Sequence, residues 1–422
     1  MKEKKEQYNQ AAITLANAIC RDAIWDGNCC NWINSSSEDV YGMPKPFARA
    51  SATNFYDGTS GIAFFLLHVL SIYENALVRK TATGALQQVL SVELAEKKSG
   101  NKNEIPANLG FHTGYAGIAF VLFEAGRILK DRQYTEAAFT IIDKSIQLPE
   151  SLWGLDVIDG PAGAIPAFIY LYKQYPSNHL QQFILQLGEY LIKKADKQPN
   201  GWSWDTMPDR HHNLTGFGHG AAGFASAFAE LYAFTNNQQY LQIAQSVVQY
   251  EDSHFNQQQK NWPDYRKFDQ GAGTMVASSQ ETVCSIAWCH GAPGIGLSRL
   301  RMYELTNDPS MREDAEVAIQ TTFKNLNLYS ITNYSMCHGL FGNAELLLYA
   351  SGLLNQPNLR QQAEKIADEC ISEYLDKKIP IPNGIQLPAE THDFMLGNSG
   401  VGYFFLRLTD PDKFPSVLLL RP

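Results

Sequence analysis

Charge is scarce in this sequence. Lysine, arginine, aspartate and glutamate make up 18% of its 422 residues, against a hydrophobic share of 45%. That balance excludes intrinsic disorder and requires a large core. A chain of this size buries roughly 75% of the surface it exposes when unfolded. The charge present leans acidic, 34 basic against 43 acidic residues for a net charge of −9, which argues against a general nucleic-acid binder. Cysteine is sparse and odd in number, with seven residues (Cys20, Cys29, Cys30, Cys284, Cys289, Cys337, Cys370) thinly spread. A disulfide framework is thereby excluded. A reducing cytoplasm is the expected compartment, with each thiol either inert core or chemically employed. Long apolar runs are missing: the longest, 61–70, is interrupted by His68 and falls far short of the ~20 residues that span a bilayer. Nor does an apolar run follow the lysine- and glutamate-rich first ten residues, as a signal peptide would require. The expectation is a cytoplasmic protein without a transmembrane segment. Alternating strand patterns are scarce as well, leaving helices to build the core.

What the sequence does have is a repeat. Seven times it reads Gly-x-x-Gly followed by an apolar run: Gly58/Gly61, Gly114/Gly117, Gly160/Gly163, Gly220/Gly223, Gly291/Gly294, Gly339/Gly342 and Gly397/Gly400, spaced 46 to 71 residues apart. Regular spacing of this kind means one supersecondary unit used repeatedly. Each run is apolar on most faces, as a buried helix should be. Upstream of each lies an amphipathic pattern, at 7–24, 81–98, 134–147, 178–196, 237–250, 309–325 and 357–375. The unit is read as outer helix, loop, glycine turn and inner buried helix. With so few charges for an exposed concave face, the inner helices are best buried by closure. The predicted fold is an all-α, α/α toroid of seven inner and seven outer helices, one domain over residues 1–422. The two or three domains suggested by length alone are then unnecessary. Glycine at the loop–helix junction permits positive φ and close backbone approach, so the glycines serve the turns and the packing. Their consequence is that residues decorating the seven turns converge on one mouth.

Those decorations are chemical. Before the first glycines stand Asp57, His112-Thr113, Asp159, His219, Cys289-His290, Cys337-His338 and Leu396. Two adjacent units carry the same triplet, in WCHGAPG and MCHGLFG, 48 residues apart. Thiolate and imidazole are ligands that zinc prefers, three with an open position for catalysis or four for structure. Cys289, Cys337, His290 and His338 allow both. Cys20 and Cys370 sit in amphipathic helices and read as core, while Cys284 is a spare ligand at best. His219, in Gly-His-Gly, faces the same mouth. In LDVIDG, Asp159 suits a helix cap, which leaves Asp156 freer to enter the mouth. Arg210, His211 and His212 read as a solvated polar loop.

Across essentially its whole length the chain resembles the LanC-like lanthionine cyclases, through its seven glycine turns, WCHGAPGI, CHGLFG, the Gly-His-Gly, LDVIDG, YDGTSGIA and the terminal PSVLLL. The resemblance implies an α/α toroid with one zinc at the mouth, held by Cys289, Cys337 and His338. It gives His219 and Asp156 acid/base and supporting roles, with His290 supporting. His290 stands where some stand-alone bacterial cyclases carry Tyr, and Ser285 where those have an Arg near the site. The wording of the turns is closer to the cyclase domain of bifunctional synthetases and to eukaryotic LanC-like proteins.

The implied reaction adds the cysteine thiol of a dehydrated precursor peptide across the double bond of dehydroalanine or dehydrobutyrine, forming a (methyl)lanthionine thioether ring. The thiolate is the nucleophile, zinc binding deprotonates a thiol, and a histidine suits protonation of the enolate. His219 would deliver that proton, with Asp156 orienting or charging it. No dehydratase domain is read in the chain, so a separate dehydratase is expected as partner. An export transporter, and a peripheral place in a membrane-associated biosynthetic complex, complete the expected setting. Protein prenyltransferases use an Asp/Cys/His set that two Cys-His-Gly turns do not fit. Toroidal glycosidases need paired carboxylates, and no such pair stands out here. Two alternatives share most of these residues: a non-catalytic adaptor that binds a thiol or glutathione, and another zinc-thiolate alkyl transfer.

Overall fold

The computed structural model describes residues 2–40, 43–95, 108–207, 212–266, 283–326, 331–385 and 390–421. The apolar runs form the inner helices α2 (Thr59–Leu70), α4 (Tyr115–Leu129), α6 (Pro161–Gln174), α8 (Ala221–Thr235), α10 (Ala292–Thr306), α12 (Leu340–Leu353) and α14 (Asn398–Thr409). The amphipathic segments form α1 (Lys2–Arg21), α3 (Ala76–Glu93), α5 (Arg132–Gln147), α7 (Asn178–Lys194), α9 (Gln238–Ser253), α11 (Pro309–Asn325) and α13 (Pro357–Cys370), the last continuing into a π-helical turn, Ile371–Leu375. These match the predicted spans to within a few residues. The end of the 81–98 span, from 96, lies outside the described residues.

The hairpin unit is phased differently from the sequence reading. Each of α2, α4, α8, α10 and α12 packs on the outer helix that follows it, and α1 packs on α14. Local chemistry sets this phase. Lys130, Asn236 and Asn307 end α4, α8 and α10 in the left-handed conformation, and the next residue caps the following helix: Asp131 accepts from Gln133 N, Asn237 from Gln239 N and Asp308 from Ser310 N. A left-handed stop followed at once by an Asx start folds one helix back on the other.

The chain forms two compact units. The first takes residues 1–33, 50–191 and 391–422 and contains α1 to α6 and α14; the second takes 34–49 and 192–390 and contains α8 to α13. Within the first, α2 lies between α4 and α14; within the second, α10 lies between α8 and α12. Three two-stranded pairings, Ile24–Asp26 with Cys29–Asn31, Ile33–Val40 with Met43–Ala50, and Asp196–Gln198 with Gly201–Ser203, escaped the sequence reading. Two have only three residues per strand, too few to show alternation, and the run INSSSEDV has no apolar face to alternate.

The glycines act through space more than through dihedral freedom. A Cβ on Gly61, Gly117, Gly163, Gly294 or Gly342 would lie 1.8–2.1 Å from the carbonyl oxygen six residues earlier. Each of these five inner helices thus begins pressed against its own incoming loop. Positive φ, expected more widely, occurs among the fourteen repeat glycines at Gly291 (φ 99°), where the turn runs from Cys289 into α10. Gly294→Ala, whose Cβ would meet the Trp288 carbonyl at 1.9 Å, should destabilise the protein by about 3 kcal/mol, the upper end for overpacking. Gly352→Ala, with nothing within 4 Å, should be neutral or slightly stabilising. Denaturant midpoints of the two variants check this, and equal midpoints would refute it.

Every residue of α2 is buried, His68 included. Its ring lies against Phe64 (4.4 Å), Tyr403 (5.4 Å) and Phe414 (5.8 Å). Burial pushes its pKa down to about 4; Glu124 opposes that shift, and Arg127 and Lys413 add to it. A base with a depressed folded pKa binds protons more weakly than the unfolded chain does. Stability is therefore full above about pH 6.5 and is lost as pH falls toward 4, by about 3 kcal/mol for this residue. His68→Leu should flatten the stability profile across that window; an unchanged slope in denaturant titrations would rule out His68 as its source.

Candidate metal centre and active site

Cys289 stands three residues before α10 and Cys337 three residues before α12, so the repeat delivers both at the same register. Backbone hydrogen bonds join successive turns. Phe217 N and Gly218 N, beside His219, donate to the Cys289 carbonyl (3.1 and 3.0 Å), and Cys289 N donates to the Cys337 carbonyl (3.4 Å). Buried side chains fasten each turn from below. Glu251 Oε1 accepts from Gly216 N (3.0 Å) and Ala222 N (3.1 Å), with Arg299 2.9 Å from its other oxygen. Asn261 Oδ1 accepts from Ala292 N (2.8 Å), and its Nδ2 donates to the Ser285 carbonyl (2.9 Å). Asn333 Oδ1 accepts from Ser335 N (3.0 Å).

The two thiols meet. Both cysteines are buried and free of disulfides. Their hydrogen bond, followed by burial, pushes the Cys289 thiol well above the usual range, while His338 and Arg266 pull it back. His338 Nε2 lies 2.8 Å from the Gly384 carbonyl. A carbonyl only accepts, so Nε2 carries the hydrogen and Nδ1 keeps its lone pair. Two thiols and an imidazole whose tautomer is fixed by its outer partner are donor types that zinc takes, although among the described residues the ligand atoms that gather within 4.8 Å of one another are those of Asp22, Glu390 and His392, not of this set.

His219 is half-buried on the neighbouring turn, and its backbone carbonyl accepts from Thr206 Oγ1 (2.7 Å). Its ring stacks on His290, centroids 5.9 Å apart and planes at 29°. His290 is 1% exposed, with Nδ1 3.9 Å from Asp264 Oδ1. Burial first and Arg266 second push its pKa down to about 3, so it is a neutral imidazole at neutral pH.

Other expectations fared differently. Asp156, in the first unit, folds its Oδ1 back onto Ile158 N (2.8 Å) and Asp159 N (3.1 Å). Asp159 does not cap α6, whose N-cap is Gly160 without a side-chain hydrogen bond. The Asx geometry that favoured Asp159 is taken by Asp156. The Cys284 thiol is pushed up to about 11 by burial and Asp264. Arg210 and His211 lie outside the described residues, while exposed His212 packs its ring on Tyr265 (4.8 Å) and His254 (5.2 Å). The sequence reading missed Asp264 and Arg266, which stand next to this cluster from a segment with no glycine turn and no repeat signature.

The sequence model of the lanthionine synthetase C-like protein family matches residues 51–419. The chain belongs to that family. This LanC-like chain is 24% identical, over 82% of its length, to the lacticin 481/lactococcin biosynthesis protein LcnDR2 of Lactococcus lactis subsp. lactis, and spans 35% of that relative's length. It is 22% identical to the glutathione S-transferase LANCL1 of Danio rerio, covering 85% of this chain and 84% of that one. It is likewise 22% identical to the nisin biosynthesis protein NisC of L. lactis subsp. lactis, covering 77% and 69%. The solved structure of nisin cyclase superposes with a TM-score of 0.67 at 16% identity, over 100% of this chain and 98% of that one. The LanC-like fold is thus the α/α toroid expected from the repeats. Among the described residues, no helix is long and apolar enough to cross a membrane.

Proposed function

We propose that this chain is a zinc-dependent lanthipeptide cyclase, joining cysteine thiols of a dehydrated precursor peptide to its dehydroalanine or dehydrobutyrine residues. The observation that supports this reading is the pairing of the two cysteine turns, Cys289 N on the Cys337 carbonyl with a hydrogen bond between the thiols, and with His338, next in sequence after Cys337, keeping Nδ1 as acceptor. Cys289, Cys337 and His338 would hold the metal, three protein ligands with one position open. A zinc bound there supplies a Lewis acid that favours the thiolate form of an incoming thiol at neutral pH. His219, on the turn hydrogen-bonded to Cys289, supplies the proton that the substrate Cα takes up. His290 supports its ring face as a neutral, buried partner. Asp156 is kept as a supporting carboxylate; its hydrogen bonds to Ile158 N and Asp159 N fix the turn before α6. A separate dehydratase and an export transporter are the partners this reading calls for.

The test is incubation of zinc-loaded protein with a peptide carrying one dehydroalanine and one cysteine. Loss of the free thiol at constant mass means ring closure. Retention of both thiol and alkene in the presence of stoichiometric zinc would count against the reading. Similarity to a relative named glutathione S-transferase favours a second reading, in which the same site takes the thiol of glutathione. Adding glutathione to the assay separates the two, because that product gains the mass of glutathione.

A further inference from the structure

We infer that Arg266 is a catalytic residue of this site, its guanidinium holding the carbonyl oxygen of the dehydro residue as negative charge develops there. The inference rests on the cyclase reading and concerns a residue outside the glycine turns.

Its position comes from backbone pairing. Asp264 N donates to the Val283 carbonyl (2.8 Å) and Ser285 Oγ to Asp264 Oδ2 (2.7 Å). The segment 264–266 therefore runs beside the one that leads into Cys289. The Asp264 carboxylate is fully buried and receives four donors: Arg266 N (3.2 Å), Nε (2.8 Å) and Nη2 (2.5 Å), and Ser285 Oγ. Burial alone would raise its pKa, but these donors and His290 hold it down at about 2. A carboxylate so occupied is an anchor and cannot serve as a base. The Arg266 side chain is 31% exposed, and the sulfurs of both Cys289 and Cys337 act on its charge. A cation is thus pinned on the carboxylate that faces His290, the residue after Cys289, rigid at its anchored edge and partly open.

The reaction needs a cation in such a place. As the new S–Cβ bond forms, the Cα=Cβ π pair shifts to the carbonyl oxygen. The thiol proton leaves to solvent and Cα takes one from His219, so the mass is unchanged. A guanidinium oriented before the substrate arrives stabilises that oxygen without reorganising during the reaction. Asp264 and Ser285 are positioning residues in this arrangement.

Arg266→Gln and Arg266→Lys test it, alongside wild type, with the same dehydroalanine–cysteine peptide and with an unreactive analogue carrying serine in place of cysteine. For R266Q, kcat should fall by about 10²–10³, the usual effect of deleting one such donor. Zinc content by elemental analysis and affinity for the serine analogue by calorimetry should be unchanged. R266K should recover part of the rate, and D264N/R266Q should be no slower than R266Q, because positioning has no value without the group positioned. R266Q with wild-type kcat overturns the inference, and so does R266Q that loses zinc, since the residue would then only support the ligand turns. A wild type that closes no ring overturns the cyclase reading itself.

Discussion

Replacing Cys337 with alanine should remove zinc and ring closure together. The ligand assignment makes this the more severe of the two largest expected effects. Even residues that merely orient metal ligands cost 10–100-fold in affinity when removed, so loss of one thiolate of three ligands should exceed about a hundredfold. Cys289→Ala should do the same, because the two positions are equivalent in the repeat and their turns are joined by the Cys289 N–Cys337 carbonyl hydrogen bond. The apo protein should fold in both variants. Each cysteine turn is held by other groups, Asn261 on one side and Asn333 on the other, and alanine removes no donor that these depend on. What should disappear is the added stability that zinc gives the wild type by binding the native state. Cys284→Ala is the control, its thiol influenced by Asp264, and it should keep stoichiometric zinc. Elemental analysis and thermal unfolding with and without zinc decide the matter. Full metal content in either Cys289→Ala or Cys337→Ala would end the assignment.

The repeat was legible because one physical demand recurs along the chain. An inner helix that starts against its own loop cannot carry a Cβ at that point, so glycine is required, and the spacing exposes it. The Cys-His-Gly triplets were legible for the same reason, as an anomaly at a position the repeat had already defined. Hairpin phase was not, because it depends on two-residue connections such as Lys130-Asp131 and Asn236-Asn237, whose polar residues read as ordinary loop. The Asp264–Arg266–Ser285 group was hidden for a different reason. Its members pair across a backbone register, Asp264 N to the Val283 carbonyl, that joins residues about twenty positions apart outside any periodic pattern. The cap expected of Asp159 is absent from α6, and the Asx turn there is made by Asp156. Both fit an Asx turn by sequence, and only the geometry tells which carboxylate folds back onto the backbone.

His219→Ala should leave zinc in place and lower the rate of ring closure by about 10²–10⁴, the usual contribution of a positioned acid or base. Retention of metal follows from how the turn is built. Its backbone is held by Glu251 beneath Gly216 and Ala222, by Thr206 on the His219 carbonyl, and by the Cys289 carbonyl. None of these bonds uses the imidazole. The neighbouring ring offers no replacement, because His290 is buried and its pKa is pushed down to about 3, leaving it without a proton to give near neutrality. Any ring that the variant still closes must then take its Cα proton from solvent. Solvent can reach either face of the enolate, so the product should be a mixture at the new Cα centre where wild type gives one configuration. The two readouts separate a proton donor from a packing residue: loss of packing would slow closure without changing the configuration. A variant that forms a single configuration at the wild-type rate would remove His219 from the mechanism and leave the zinc ligands untouched.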